Sequence, residues 1–259
     1  MIKGIIFDLD GTTLSTLYDI QDSMNIVLKN HNYPEKNYDH VRLAIGRGSR
    51  NLVKDCLPIN ASEEEIDKLL DEYIETYGHH YDVETKNYEG IQELLNELEK
   101  RGIVLAVNSN KPNEFTNNLI KQHYPGNKFI AIIGSRKGIP YKPDPYSANE
   151  IVNLMGFEKS EVLYVGDSDS DVNTAKNAGL KCVGCLWGFR DLKTLTDAGA
   201  DYIISKPKEL LNYLQWQILQ AKTIVQELSE SKVLMEQRLI WFVEKIRTVW
   251  LIQEWVMEV

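Results

Sequence analysis

The chain has little of several things that would place it elsewhere. Its 259 residues hold three cysteines, Cys56, Cys182 and Cys185, too few for a disulfide framework. Cys182-Val-Gly-Cys185 has the spacing of a metal or redox pair, but it sits in an apolar stretch, KCVGCLW, without the partners a zinc site needs. Two strand thiols are the simpler reading. The five histidines are scattered, and the adjacent pair His79-His80 does not face one ligand, because neighbouring helical residues point apart. Basic charge is short too: 29 Lys and Arg stand against 38 Asp and Glu, a net charge of −9. That balance argues against nucleic-acid binding as the main role. Met1 leads almost directly into an apolar run, which leaves no room for a signal peptide and points to the cytoplasm. Residues 239–257 are apolar but carry Glu244, Lys245, Arg247 and Glu254, so no transmembrane span is expected. What remains, 43% hydrophobic and 26% charged residues, is the composition of a globular chain with one or two domains.

The most informative stretch is residues 4–14, GIIFDLDGTTL. An apolar run of this kind reads as a buried parallel strand, and Gly11 permits a sharp exit from it. Residues two apart share a face while the chain stays extended, so Asp8 and Asp10 are expected together at the strand end, where open α/β sheets bind ligands. Two neighbouring carboxylates repel unless a cation or a shared proton relieves them. Such a pair suits metal binding, nucleophilic attack or acid–base work; a polar strand-to-turn cap is the plainer alternative.

Two further strands end in the same manner. Residues 162–171, VLYVGDSDSD, run into Asp167, Asp169 and Asp171. With a helix starting near Ser168, Asp167 and Asp171 lie close together at its N-terminus; helix capping alone would also use these residue types. Residues 103–112, IVLAVNSNKP, end in the hydrogen-bonding side chains of Ser109 and Asn110. Lys142, in Tyr141-Lys142-Pro143-Asp144-Pro145, is a positive charge held in a loop by prolines.

Taken in order, these segments resemble the four signatures of the haloacid dehalogenase superfamily, within it the phosphoglycolate-phosphatase-like hydrolases. Asp8-Leu-Asp10-Gly11-Thr12 is similar to the first, Ser109-Asn110-Lys111 to the second, Lys142-Pro143-Asp144-Pro145 to the third, and Gly166-Asp167-Ser168 with Asp171 to the fourth. The resemblance covers roughly residues 1–214. Thr13, Ser15 and Asn108 depart from the usual pattern, but none removes a group the chemistry needs. It implies an α/β fold: a Rossmann-like parallel sheet core with helices on both faces, from residues 1–14 and 86–214, with a helical cap inserted at 15–85. The sequence agrees. Residues 19–30, 38–45, 49–56 and 62–77 read as helices, with a capping-box start at Ser62, and beyond residue 88 short helices and strands alternate, as a parallel sheet requires.

The chemistry that the resemblance implies is hydrolysis of a small-molecule phosphate ester with Mg²⁺. Asp8 would be the nucleophile, forming an aspartyl-phosphate, and Asp10 the proton donor and later the base. Asp8, the backbone carbonyl of Asp10, and Asp167 would hold the metal, with Asp171 helping directly or from behind. Ser109, Asn110, Gly11, Thr12 and the amides after Asp10 would bind the phosphoryl group or substrate, and Lys142 would offset the charge. Arg47, between Gly46 and Gly48 in AIGRGSR, would fork onto a second acidic group of a phosphoglycolate-like substrate. A phosphomutase of the β-phosphoglucomutase type uses the same nucleophile, and a non-catalytic binding protein acting through its tail is a third reading. A dehalogenase is disfavoured by the presence of Asp10.

Residues 215–259 are expected to form a helical extension beyond the core. They lack Gly and Pro and hold four of the five tryptophans, and positions stepping by 3 and 4 from Ile218 to Val256 are apolar except Lys232 and Gln253. That is a heptad seam, suited to packing on its own chain or to self-association.

Overall fold

The computed structural model describes residues 1–214 and Met235, so the seam expected over 215–259 and its self-association lie outside the described residues. Apolar runs become strands here where both faces are covered. β1 (Gly4–Phe7) is buried at every residue. Further along, β2 (Leu14–Ser15), β3 (Lys86–Asn87), β4 (Val104–Pro112), β5 (Phe129–Ser135), β6 (Val162–Gly166), β7 (Lys181–Cys185) and β8 (Tyr202–Ile204) follow in order. Six of them make one sheet in the order β5-β4-β1-β6-β7-β8, and every pairing in it is parallel. The chain leaves β1 towards β4 and β5, then returns to the other side of β1 as β6. Strand order therefore reverses around β1, and ligand sites form at the carboxyl ends around such a reversal.

Register lines these ends up. Phe7 lies opposite both Val107 and Val165, which brings Asp8 level with Asn108 and Gly166. One residue further come Ser109 and Asp167. β4 runs past the expected end at residue 108, so Ser109, Asn110 and Lys111 are strand residues rather than the start of a loop.

The helices follow their apolar spacing. In α5 (Ile91–Lys100), Ile91, Leu94, Leu95 and Leu98 are buried, one stripe at 3.6-residue spacing. With α6 (Asn113–His123), α7 (Tyr146–Met155), α8 (Asp169–Ala178) and α9 (Leu192–Ala198) it supplies the covering layers. At the start of α8 the side chain of Ser168 accepts from the Asp171 amide while Asp171 accepts from the Ser168 amide, so this acid both caps a helix and enters the site.

Between β2 and β3 lie α1 (Leu17–Asn30), α2 (Tyr38–Ala44), α3 (Ser49–Cys56) and α4 (Glu63–His80). Ser62 caps α4 as its sequence suggests, and the helix runs on past the expected end at residue 77. These helices bury a second apolar core that includes Met24, Leu28, Leu52, Leu69, Tyr73 and Tyr77 and is joined by Phe115 and Phe189. At about 1.5–3 kcal/mol per large buried side chain, this cluster is enough to hold the helices together. The entry and exit of the insertion are tied: β2 and β3 pair antiparallel, and the buried Asp19 carboxylate accepts from the amides of Val83, Glu84 and Thr85. A two-residue strand pair carries no periodicity, which is why the sequence pattern does not disclose it. Among the described residues no helix is long and apolar enough to cross a membrane.

Candidate active site

The strand ends and the inserted helices face each other across a cleft of about 590 Å³, its open mouth included. Its floor holds Asp8, Asp10, Ser109, Lys111, Lys142 and Asp167, and its helical wall Ile45, Leu52, Tyr73 and Tyr77.

Asp8 follows β1, and its amide donates to the Val165 carbonyl at 2.9 Å. Lys142 Nζ donates to Asp8 Oδ1 at 2.7 Å and to Asp171 Oδ1 at 2.7 Å. Among the described residues the other Asp8 oxygen accepts no hydrogen bond. Asp10 is arranged alike: Oδ1 accepts from Thr16 Oγ1 at 2.6 Å and from Lys111 Nζ at 2.8 Å, and Oδ2 has no partner among the described residues. Each carboxylate thus has one oxygen pinned and one open.

Asp167 Oδ1 accepts from Thr12 Oγ1 at 3.1 Å, and Oδ2 from the Phe189 amide at 2.7 Å. Gly11 is indispensable here. Its φ is +87°, and a Cβ added to it would lie 2.4 Å from Asp167 Oδ2, so any side chain would both strain the turn and displace the acid.

Charge in this floor is unbalanced. Burial pushes Asp8 well above the usual carboxylate range, and Asp171 adds to the shift while Lys142 opposes it. Burial, then Asp171, raises Asp167 to about 7. Burial alone would discharge Lys142, but Asp171 and Asp8 outweigh it and hold the ammonium charged. One ammonium cannot keep three buried carboxylates ionised, so the trio must share protons or bind a cation. Asp8, Asp167 and Asp171 each offer an oxygen, all within 4.8 Å of one another. A buried, all-oxygen donor set of this kind fits a hard divalent ion such as Mg²⁺.

Four expectations come out differently. The amides of Gly11, Thr12, Thr13 and Leu14 are not available to a phosphoryl group, because they donate to the carbonyls of Leu14 or Leu9 inside the turn. Thr12 is fully buried and serves Asp167 instead of the substrate. Asn110 has its whole amide committed: Nδ2 donates to the carbonyls of Gly46 and Lys142, and Oδ1 accepts from the Lys142 amide. It holds the loop of Lys142 and the α2–α3 junction rather than a ligand. Arg47 does not line the cleft. It is paired with Asp55 at 2.5 Å, half-exposed, and lines a neighbouring depression with Asp169 and Ser170. Ser109 does face the cleft; its Oγ accepts from the Lys111 amide at 3.2 Å, which leaves its proton to donate.

Sequence reasoning missed Lys111 and Arg190. Lys111 stands two residues after Ser109 on one strand, the spacing that singles out Asp8 and Asp10, so the same rule finds it. Arg190 donates to the carbonyls of Arg42, Leu43 and Ile45, while Arg42 donates back to the Phe189 carbonyl. This reciprocal latch holds the α2–α3 junction against the sheet, and no local pattern announces it. Cys182 and Cys185 are buried in β7, where burial first of all pushes both thiols up, as for inert strand thiols.

The chain matches the haloacid dehalogenase-like hydrolase family over residues 5–185. It is 31% identical over 223 residues to a phosphoglycolate phosphatase of Aquifex aeolicus, covering 85% of this chain and 100% of that one. It is 28% identical over 214 residues to an N-acetylmuramic acid 6-phosphate phosphatase of Pseudomonas aeruginosa, covering 82% and 95%. The crystal structure of a candidate phosphoglycolate phosphatase from Lactobacillus delbrueckii superposes with a TM-score of 0.75 at 29% identity, covering 80% of this chain and 96% of the other.

Proposed function

Because the chain belongs to the haloacid dehalogenase-like hydrolases and is a phosphoric monoester hydrolase, we propose that it cleaves a small phosphate ester, phosphoglycolate or a close analogue, through an aspartyl-phosphate on Asp8. The observation that carries this reading is the pair of carboxylates at one strand end, each with one oxygen held by a lysine and the other open.

The open oxygen of Asp8 attacks phosphorus, and the bond to the leaving oxygen breaks as the new bond forms. Asp10 gives its proton to that leaving oxygen, then takes one from the water that attacks the aspartyl-phosphate. The Ser109 hydroxyl donates to a phosphoryl oxygen. Lys142, fixed between Asp8 and Asp171, stabilises the negative charge and keeps Asp8 in position. Mg²⁺ would be held by Asp8, Asp167 and the Asp10 carbonyl, with Asp171 oriented by Lys142 and Ser168; when bound, it offsets phosphoryl charge and aligns the reacting groups. Residues 15–85 act as a cap that excludes water, and residues 1–14 with 86–214 form the catalytic core.

The test is release of inorganic phosphate from phosphoglycolate by the purified full chain with Mg²⁺, against Asp8→Asn. Turnover in the parent and none in the variant supports the reading. Turnover in Asp8→Asn comparable with the parent rejects the nucleophile, and interconversion of isomeric sugar phosphates without free phosphate favours a mutase.

A further inference from the structure

The cleft holds a cation that the mechanism above uses only in part. Lys111 is 4% exposed at its side chain and lines the cleft. Its ammonium has three N–H donors. One goes to Asp10 Oδ1 at 2.8 Å, and the charge rests 4.7 Å from the centre of the Tyr77 ring. Among the described residues it makes no other hydrogen bond, so donor capacity is left over on a buried charge, an arrangement that is costly unless a ligand completes it. The hydroxyl of Tyr77, on the facing helical wall, is buried without a partner among the described residues.

The other cations near the cleft are committed. Lys142 bridges Asp8 and Asp171, and Arg190 holds backbone carbonyls. Arg47 is bound to Asp55 outside the cleft. Position decides what Lys111 would meet. Asp10 is the group that protonates the leaving oxygen, so a cation bonded to Asp10 lies on the leaving-group side. The other residues there, Ile20, Ile45, Leu52 and Tyr73, are uncharged, and Arg190, which also lines the cleft, is held by three backbone carbonyls.

We propose that Lys111 is the specificity-determining residue of this site, and that its spare donors take a carboxylate on the carbon next to the ester oxygen. The substrate class is then a short α-carboxylated alkyl phosphate. This rests on the phosphatase reading for its substrate orientation, and it transfers to Lys111 the role that the sequence suggests for Arg47.

The experiment measures binding instead of turnover. In the full-chain Asp8→Asn protein with Mg²⁺, calorimetry compares phosphoglycolate with propyl phosphate, which has similar bulk and no carboxylate. Adding Lys111→Met is expected to weaken phosphoglycolate about tenfold to a hundredfold, the range for a hydrogen bond to a charged group, and propyl phosphate less than about threefold. Lys111→Arg, which keeps the charge, is expected to recover part of the loss and guards against a variant that simply fails to fold. Equal weakening of both esters would mean that Lys111 only holds Asp10, and overturns the proposal. So does undiminished preference for phosphoglycolate in Lys111→Met, or no binding of either ester by the Asp8→Asn protein. The parent's own turnover separates the two readings. Hydrolysis of both esters with equal kcat/KM keeps the phosphatase and sinks this proposal; Lys111-dependent binding with no phosphate released from either ester does the reverse.

Discussion

The two walls of the cleft are built on opposite principles. The sheet wall is a set of buried charges in which each group has a designated partner: Lys142 with Asp8 and Asp171, Lys111 with Asp10, Thr12 with Asp167. The helical wall is apolar and aromatic, with Ile45, Leu52, Tyr73 and Tyr77, and it is tied to the sheet through backbone carbonyls held by Arg190 and Asn110. In the first wall, identity and geometry are inseparable, since removing one member strands another charge. In the second, side chains can change while the backbone contacts persist. On the proposed function, chemistry belongs to the sheet wall and substrate choice to the boundary between the two.

The sharpest way to break this comparison is Asp8→Asn. The substitution is nearly isosteric, so the fold should survive, while phosphate release falls by about six orders of magnitude, as for removal of a nucleophile that acts as part of a unit. Loss of fold in place of activity, read by circular dichroism, would show that Asp8 serves structure. Lys142→Ala is expected to cost both. Asp8 and Asp171 lose their shared counter-charge, and breaking a buried pair destabilises by about 3–5 kcal/mol, measurable by urea denaturation, alongside a hundredfold or greater fall in kcat at about the scale of a lost transition-state donor.

Metal and proton should compete in the sheet wall. Asp167 titrates at about 7 in the folded chain against about 4 when unfolded. The metal-free fold therefore holds this proton more tightly than the unfolded chain does. Its stability should decline as pH rises from about 4 to about 7, because the unfolded carboxylate then gives up its proton while the buried one keeps it. Mg²⁺ needs the ionised form, so its affinity should weaken as pH falls through about 7, by up to about tenfold per pH unit. Titration of Mg²⁺ by calorimetry at pH 6 and pH 8 checks this; equal affinities would remove Asp167 from the metal site.

The helical wall should respond less. Arg190→Ala removes the donor to three carbonyls and should raise KM several-fold, about 1–1.5 kcal/mol, with kcat within about twofold. A comparable fall in kcat would mean that the junction positions reacting groups as well. Arg47→Ala is expected to do least, below about twofold in KM, since it loses only an exposed pair with Asp55. A large and selective KM increase for phosphoglycolate would instead show that Arg47 leaves Asp55 for the substrate.

Much of the fold and of the site is legible in the sequence. Apolar runs ending in acids locate β1 and β6, and the alternation of short helices with apolar runs beyond residue 88 lays out the sheet layers. Asp8 and Asp10 follow from two-residue spacing at a strand end, and Asp167 with Asp171 from four-residue spacing at an expected helix N-terminus. Lys111 was within reach of the same spacing rule but followed two residues already given roles. The commitments of the Gly11–Leu14 amides were not legible, because a tight turn and a phosphate-binding loop use the same residue types.

Sequence by itself determined the longer elements, their alternation and the identity of the acids, since these depend on side-chain periodicity and on chemistry that each residue carries wherever it goes. Only the tertiary structure decided the pairings. Lys111 meets Asp10 across 101 positions, Lys142 meets Asp8 across 134, and Arg190 meets the α2–α3 junction across about 147. A lysine's partner is set by which oxygen lies within hydrogen-bonding reach of its ammonium. That distance comes from the register of β1 against β4 and β6 and from the packing of two apolar cores, neither of which is a property of any local stretch of chain.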